Sequence, residues 1–517
     1  MADPLILAVD QGTSSTKALL VDACGRVVSR AVAPLSESQP RPGWVEQDPA
    51  ELWQSVRRAV AECVTPACAG RVAGIGISNQ RESLVLWERR TGEPVGPLLS
   101  WQDQRTADRC HELAGAAELV RSVSGLPLDP MFSALKARWL LDTYDPGRRR
   151  AGELCLGTVD SWLLSRFGGE HLIEAGNASR TQLLDVATGD WDDRLLELFG
   201  VPREVLPRVV PSCAALPAAR GLAPLPDGVP VLAVMGDSHA AMFAHAGWRP
   251  GVVKATYGTG SSVMAIGRTG RTGRTGQTGR TGRSGQTGQT GEVGEVGEVG
   301  EVGEVRGLCR SIAWDLGDGP ALCVEGNIRA TGRMVSWLAD LFGVPVPELL
   351  KEAESADGVH FVPAFGGLGA PWWDPGATPV ITGFSLGTRR PQLAAAALEA
   401  VAFQIEDVLV AIEQAVGQVR VLMTDGGLTH SDRLMRLQAD LSGRVVARSG
   451  EHDLSALGAA DAAGLTAGLW TLGDLERRPR PADTYEPGLG EAERRARKHA
   501  WHETVRRARP ARERNAI

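Results

Sequence analysis

The sequence predicts an α/β protein of two halves enclosing a cleft, and three observations carry that prediction. Segments that read as strands alternate with segments of helical periodicity, the succession that builds α/β architecture. A turn rich in glycine and hydroxyl residues lies between two strand-like runs near the N-terminus, Asp10-Gln11-Gly12-Thr13-Ser14-Ser15. The same device returns in mid-chain as Tyr257-Gly258-Thr259-Gly260-Ser261-Ser262. The chain of 517 residues also exceeds the size at which one hydrophobic core keeps growing. Two or more domains follow, and the clefts between domains are where small ligands bind.

In chain order, LILAVDQGTSSTKALLVDACGRVV reads as a hairpin followed by a third strand. A helix is expected over DPAELWQSVRRAVAECV, with Asp48 as N-cap and Pro49 at its first position. VAGIGISNQRESLVLW reads as the next strand. In VLAVMGDSHAAMF an apolar run and a glycine lead into Asp237 where a helix begins, so Asp237 suits either capping or chemistry. A second succession starts with GVVKATYGTGSSVMAIG, which puts the boundary between halves at Trp248 to Gly251 and the domains at 1–248 and 249–517. The strand VRVLM, the turn Thr424-Asp425-Gly426-Gly427 and the helix SDRLMRLQADL follow in the second half.

Over 267–306 glycine recurs every third residue, first in GRT or GQT units and then in GEV units. The block lacks the proline of collagen. It reads as a flexible low-complexity insertion in a surface hairpin loop. The basic C-terminal run ERRARKHAWHETVRRARPARER reads as a surface helix with a frayed tail.

With 43% hydrophobic and 23% charged residues and a net charge of -7, the composition excludes a general nucleic-acid binder. The opening apolar run has no cationic leader and is too short for a signal peptide or a membrane span, so a cytoplasmic location is expected. The eight cysteines (24, 63, 68, 110, 155, 213, 309 and 323) form no C-x-x-C pair and read as free thiols.

Successive backbone N–H groups in the first turn suit an anion, and the hydroxyls of Thr13 and Ser14 add donors to phosphate oxygens. Lys17 offers a point charge, and Asp10 at the strand end suits Mg²⁺ held through water. Two such loops facing each other would clamp a nucleoside triphosphate. The Thr424–Gly427 turn before a helix suits its nucleoside or α-phosphate. Gln80-Arg81-Glu82 sets a fork of donors beside a carboxylate, a combination that fits neighbouring hydroxyls or a surface ion pair. Trp101 by itself reads as core.

The chain resembles the FGGY family of carbohydrate kinases, and within it the glycerol kinases. The matching segments include DQGTSSTK, PGWVEQDP, GISNQRES, SWQDQRTA, DPMFSALKARWLLD, GTVDSWL, NASRTQLLD, GDSHAA, YGTGSSVM, PAFGGLGAPWWDP, TDGGL and SALGAA. The resemblance implies two ribonuclease-H-like domains of the actin and hexokinase type, with Mg-ATP and a small polyol or sugar in the interdomain cleft. It implies that Asp237 is the general base, that Arg81 and Glu82 grip the acceptor hydroxyls, and that Trp101 packs on the acceptor carbons. ADP contacts are implied at Gly12, Thr13, Lys17, Gly258, Thr259, Gly332, Ser336, Gly427 and Ser431, together with a homo-oligomer, dimer or tetramer.

The chain departs from glycerol kinases at Met131, Ser238 and Ser262, where they have tyrosine, glutamine and phenylalanine. Ser336 and Ser431 replace their amides. The first three changes make the acceptor pocket wider and more polar, and the last two alter the adenine-side contacts. Phosphorylation of glycerol to glycerol 3-phosphate is the default expectation, and a C4–C5 polyol or ketose, as in a xylulokinase, is the alternative. An actin-like or Hsp70-like ATPase shares the phosphate loops but gives no reason for Arg81, Glu82 and Asp237 to converge. A degenerate polyol sensor conflicts with the intact Asp10, Thr13 and Asp237.

Overall fold

The computed structural model describes residues 3–267 and 307–510. In the first half β1 (Leu5–Gln11), β2 (Ser15–Asp22) and β3 (Val27–Pro34) form the expected antiparallel meander. β4 (Val72–Asn79) and β5 (Val229–Gly236) join it parallel to β1, giving the order β3-β2-β1-β4-β5 with the short strand Ala218–Ala219 outside β5. The second half contains β6 (Val252–Tyr257), β7 (Ser261–Ile266), β8 (Cys309–Asp315), β9 (Pro320–Ile328), β10 (Val421–Asp425), β11 (Val445–Ser449) and β12 (Ala482–Tyr485). Its order β9-β7-β6-β10-β11 repeats the first pattern, with β8 beyond β9 and β12 beyond β11. The duplicated sheet is the ribonuclease-H-like pair that the resemblance implied.

Two sequence readings need correction. The apolar stretch over 72–88 is two strands, because the chain turns at Gln80–Ser83 and Leu84–Glu88 enters a separate small sheet. The glycine-triplet block lies, from 268 to 306, outside the described residues. The strands on either side of it, β7 and β8, pair with opposite edges of β9 rather than with each other, so they are not the two arms of a hairpin.

Every residue of β1 is buried, because both faces of the sheet are covered. Leu5, Leu7 and Val9 face one way, onto Leu52, Val56, Ala59 and Val60 of α1 (Pro49–Cys63). That helix starts as expected, with the Asp48 carboxylate accepting the Ala50 N–H at 2.8 Å and Pro49 in the first turn. Ile6 and Ala8 face the other way, towards Ala240 and Phe243 of α2 (Asp237–Ala244). The second sheet is covered by α3 (Gly332–Phe342), the long α4 (Arg390–Val416) and α5 (Asp432–Ser442).

Between the sheets α2 meets α6 (Leu454–Thr466), each being the helix that follows the last strand of the shared five-strand pattern, β5 in one half and β11 in the other. The backbones approach so closely that a Cβ at Gly458 would lie 1.8 Å from the Ala240 carbonyl oxygen, and one at Gly76 2.1 Å from that of Ala459. The small residues of LSALGAADAAG make this crossing possible, and they bring a helix of the second half onto the sheet of the first. The basic C-terminal segment forms α7 (Glu491–Ala508), docked through Trp501, which stacks on Phe403 at 5.3 Å. The tail expected after it falls at 511–517, outside the described residues.

Candidate active site

Parallel pairing decides which residues meet. Asp10 stands opposite Ser78, and both Gln11 and Gly236 stand opposite Asn79, so β1, β4 and β5 end at one level. The residues that leave these ends are Asp10, Gln80-Arg81-Glu82 and Asp237. The carboxyl ends of parallel strands are where α/β sheets bind ligands. In the second half Thr256 of β6 stands opposite Asp425 of β10, which sets the YGTG and TDGG turns side by side.

Gly236, not Asp237, occupies the N-cap of α2, and Asp237 is the first helical residue with no side-chain cap bond. Its Oδ1 accepts the adjacent Ser238 N–H, at 2.6 Å. The side chain is 36% exposed. Burial of its surroundings pushes its pKa up, against the opposing charge of Arg81.

Arg81 does not point freely at a ligand. Its two Nη atoms lie 2.9 and 2.8 Å from the carboxylate of Glu325 on β9, and its Nε lies 3.6 Å from Asp237 Oδ1. Glu82 has a left-handed backbone, φ 62°, a strained geometry for a residue with a Cβ, and its Oε1 accepts from Arg180 Nε at 2.6 Å. Arg180 also lies 3.0 Å from Glu325, which accepts further bonds from Ser262 Oγ and Asn327 Nδ2 at 2.9 and 2.7 Å. Burial opposes ionisation of Glu325, but Arg180 and Arg81 outweigh it and hold its pKa well below the usual range. His239 is fully buried beside Arg81, and burial keeps it neutral.

Asp10 is buried, with Oδ1 accepting from Ser78 Oγ at 2.8 Å, and burial raises its pKa to about 6 against the pull of Lys17. Lys17 reaches Asp453 at the start of α6, at 3.3 Å. The Gly12 N–H closes the first turn on the Ser15 carbonyl, Thr13 Oγ1 accepts from Trp101 Nε1 at 3.0 Å, and Ser14 is exposed. Trp101 therefore packs against the first loop.

Gly258, Thr259 and Gly332 are brought together. The N–H of Gly332 donates to the Gly258 carbonyl at 2.9 Å, and a Cβ at Gly332 would lie 2.5 Å from that oxygen. Gly426 (φ 97°) leaves room for the Tyr257 carbonyl, which a Cβ there would approach to 2.6 Å. Gly427 is exposed beside it. Ser431 caps α5, accepting from Leu434 N, and Ser336 is exposed on α3. Ser238 is half-buried next to Asp237, whereas Met131 packs in a small cluster with Leu126, Phe132, Cys309 and Trp373.

The residues that sequence reasoning missed are Arg180, Glu325, Asn327 and His239. Glu325 did leave a signal, a lone carboxylate inside the otherwise apolar run ALCVEG, since charged residues are buried only with partners.

Two lobes of repeated sheet, a glycine turn in each and a carboxylate beside an arginine fork define a phosphotransferase of the sugar-kinase class. The chain matches the FGGY family of carbohydrate kinases, N-terminal domain, over residues 5–244 and C-terminal domain over residues 253–467. It is 39% identical to an apulose kinase of Pectobacterium atrosepticum over 98% of this chain and 99% of that protein. It is 38% identical to a glycerol kinase of Alkalilimnicola ehrlichii, covering 97% and 98%. The crystal structure of Plasmodium falciparum glycerol kinase with ADP superposes with a TM-score of 0.84 at 26% identity, covering 98% of both chains. The chain belongs to the FGGY family of carbohydrate kinases, phosphotransferases with an alcohol group as acceptor.

Proposed function

We propose that this kinase transfers the γ-phosphoryl group of ATP to a hydroxyl of a small neutral polyol or ketose, with Asp237 as the proton acceptor. The carrying observation is the convergence of Asp10, the Arg81-Glu82 pair and Asp237 at adjacent strand ends. Phosphoryl transfer asks the protein mainly for alignment, neutralised phosphates and a base within reach of the attacking hydroxyl. Asp237, free of a capping role and partly exposed, meets the last demand, and the glycine turns of the two halves are read as meeting the second.

Acceptor charge follows from the side chains present. Arg81 and Arg180 are matched by Glu82 and Glu325, and Asp237 adds a further negative charge. A carboxylate or phosphate on the acceptor would meet a site without surplus positive charge, so a neutral compound fits. Ser238, Ser262 and Met131 support a pocket wider than glycerol needs, and resemblance to both an apulose kinase and glycerol kinases supports the C4–C5 alternative beside the glycerol default. ADP release measured across C3 to C6 polyols, ketoses and sugar acids tests this. A C4 or C5 acceptor should equal or exceed glycerol in kcat/KM, and sugar acids should be inert; a large preference for glycerol would refute the wider pocket. ATP hydrolysis indifferent to every polyol would instead favour an actin-like or Hsp70-like ATPase.

Nucleotide binding by Gly12, Thr13, Ser14, Lys17, Gly258, Thr259, Gly332, Ser336, Gly427 and Ser431 is part of the same reading. The close approaches at Gly332 and Gly426 let these turns pack directly on the YGTG backbone, which a side chain would prevent. Gly426→Ala should weaken ADP binding by about tenfold or more, because a left-handed alanine is strained and its Cβ would push the TDGG turn off Tyr257. Isothermal titration checks this, and unchanged affinity would remove that turn from the nucleotide site.

Mg²⁺ fits the oxygen donors near Asp10, whose raised pKa reflects burial and the nearby carboxylates of Asp237 and Asp453. Among the described residues no cluster of three or more His, Cys, Asp or Glu side chains is arranged to hold a metal alone, so Asp10 would share the ion with phosphate oxygens and water. When bound, the ion neutralises phosphate charge. A homo-oligomer, on family resemblance, and the cytoplasmic location expected from the sequence complete the proposal. Among the described residues no helix is long and apolar enough to cross a membrane.

A further inference from the structure

The arrangement around Arg81 contains a competition. One guanidinium faces two carboxylates that come from different halves of the chain. Glu325, on β9 of the second half, takes both Nη atoms at 2.9 and 2.8 Å. Asp237, on α2 of the first half, is left with Nε at 3.6 Å, beyond hydrogen-bond length. A bidentate fork is the strongest pairing that an arginine and a carboxylate can form. Whichever carboxylate holds it is neutralised and geometrically fixed, and a base held in that way cannot also receive a proton from an acceptor hydroxyl.

Glu325 is built to win. It is fully buried, and it is braced by Ser262 Oγ at 2.9 Å, Asn327 Nδ2 at 2.7 Å and Arg180 at 3.0 Å. Arg180 is itself fixed by Glu82 at 2.6 Å, so the carboxylate cannot swing away from Arg81 without breaking several bonds. The charges that face Asp237 are Arg81 and Glu82 from the turn after β4, Asp10 from β1 and Lys254 from β6. Those that face Arg81 are Glu325, Glu82 and Asp237, with neutral His239 on α2 at 3.5 Å from Nη1. Arg81 is the cation that touches Asp237 directly, at 3.6 Å.

We propose that Glu325 is a positioning residue that holds the Arg81 fork away from Asp237, leaving Asp237 open to the acceptor hydroxyl. The inference rests on the reading of Asp237 as the base. Arg81 and Asp237 sit on the same half, and the β8-β9 pair that carries Glu325 is docked on that half through Arg310 N–H to Gly125 O and Cys213 N–H to Asp315 O, so the rival carboxylate is fixed beside the fork.

A double-mutant cycle separates this action from a structural one. Glu325→Gln keeps the shape and removes the charge, and it should lower kcat by about tenfold or more with the KM for ATP unchanged. In an Arg81→Ala background the same substitution should cost less than about twofold, because its effect acts through Arg81. Equal losses in both backgrounds would overturn the proposal, since a merely structural Glu325 matters with or without Arg81. If Glu325→Gln does not fold, Glu325→Asp, which keeps the charge on a shorter arm, enters the same cycle with the same coupling expected. Asp237→Asn is the control arm. Full turnover in that variant would refute the base itself, whereas an inactive Asp237→Asn beside an additive cycle would refute only the role of Glu325.

Discussion

Asp237→Asn is expected to lower turnover by about a hundredfold or more, the scale of a positioned base, while thermal unfolding stays unchanged. A hundredfold corresponds to about 2.7 kcal/mol of transition-state stabilisation. The fold should survive because the helix does not depend on this side chain. Gly236 is the N-cap, and the asparagine oxygen can still accept the Ser238 N–H that Asp237 now binds. What the amide loses is the ability to take a proton. The pH profile gives a second readout. Burial raises the Asp237 pKa, so in the native enzyme the acid limb of kcat/KM should fall through a value above the ordinary carboxylate range, with activity present above that pH and lost below it. The variant should lose that limb. Near-normal kinetics would remove Asp237 from the chemistry.

The strand ends were legible because local sequence and global fold agree there. An apolar run followed by glycine and a carboxylate marks β5 and Asp237, and the repeated glycine-hydroxyl turn marks β2 and β7 as equivalent. The Asp48-Pro49 start of α1 was legible for the same reason, since capping is decided within a few residues. Asp237 as a cap was a reasonable expectation from composition. It failed because the helix starts one residue earlier than periodicity can resolve.

The surroundings of Arg81 and Glu82 were only half legible. Arg81 and Glu82 announce themselves as a fork beside a carboxylate, but their partners lie 98 and 244 positions away in sequence. Pairings of that kind are set by the crossing of α2 and α6 and by the pairing of β9, neither of which leaves a local signal. Sequence therefore shows which residues carry charge near the cleft, and the fold decides which charge neutralises which. The departures at Ser238 and Ser262 illustrate the limit. As shorter residues they imply space, yet the Ser262 hydroxyl is committed to Glu325. The polarity added at that position therefore serves the ion network.

The interlocked charges make Arg180 the most consequential residue for stability. Its side chain is fully buried, bonded to Glu82 through Nε, 3.0 Å from Glu325 through Nη1, and set over the ring of Phe132 at 5.0 Å. Burial disfavours its charge, but Glu325 and Glu82 restore it and raise its pKa above the ordinary arginine value. Arg180→Met keeps most of the volume and removes the cation, leaving the Glu82 carboxylate without its close partner and Glu325 with one arginine in place of two. Removing one member of a buried ion network costs about 3–5 kcal/mol, so urea unfolding should shift by that amount. Arg180→Lys should recover part of the loss, because a point charge at that site cannot reach Glu82 and Glu325 together as the planar guanidinium does. The catalytic consequence is separate from stability. With Arg180 gone, Glu325 is less firmly braced, so acceptor KM and kcat should both deteriorate at temperatures where the variant is still folded. A loss of less than about 1 kcal/mol on Arg180→Met would show that the buried charges relax independently, and that the two halves are not tied together through this residue.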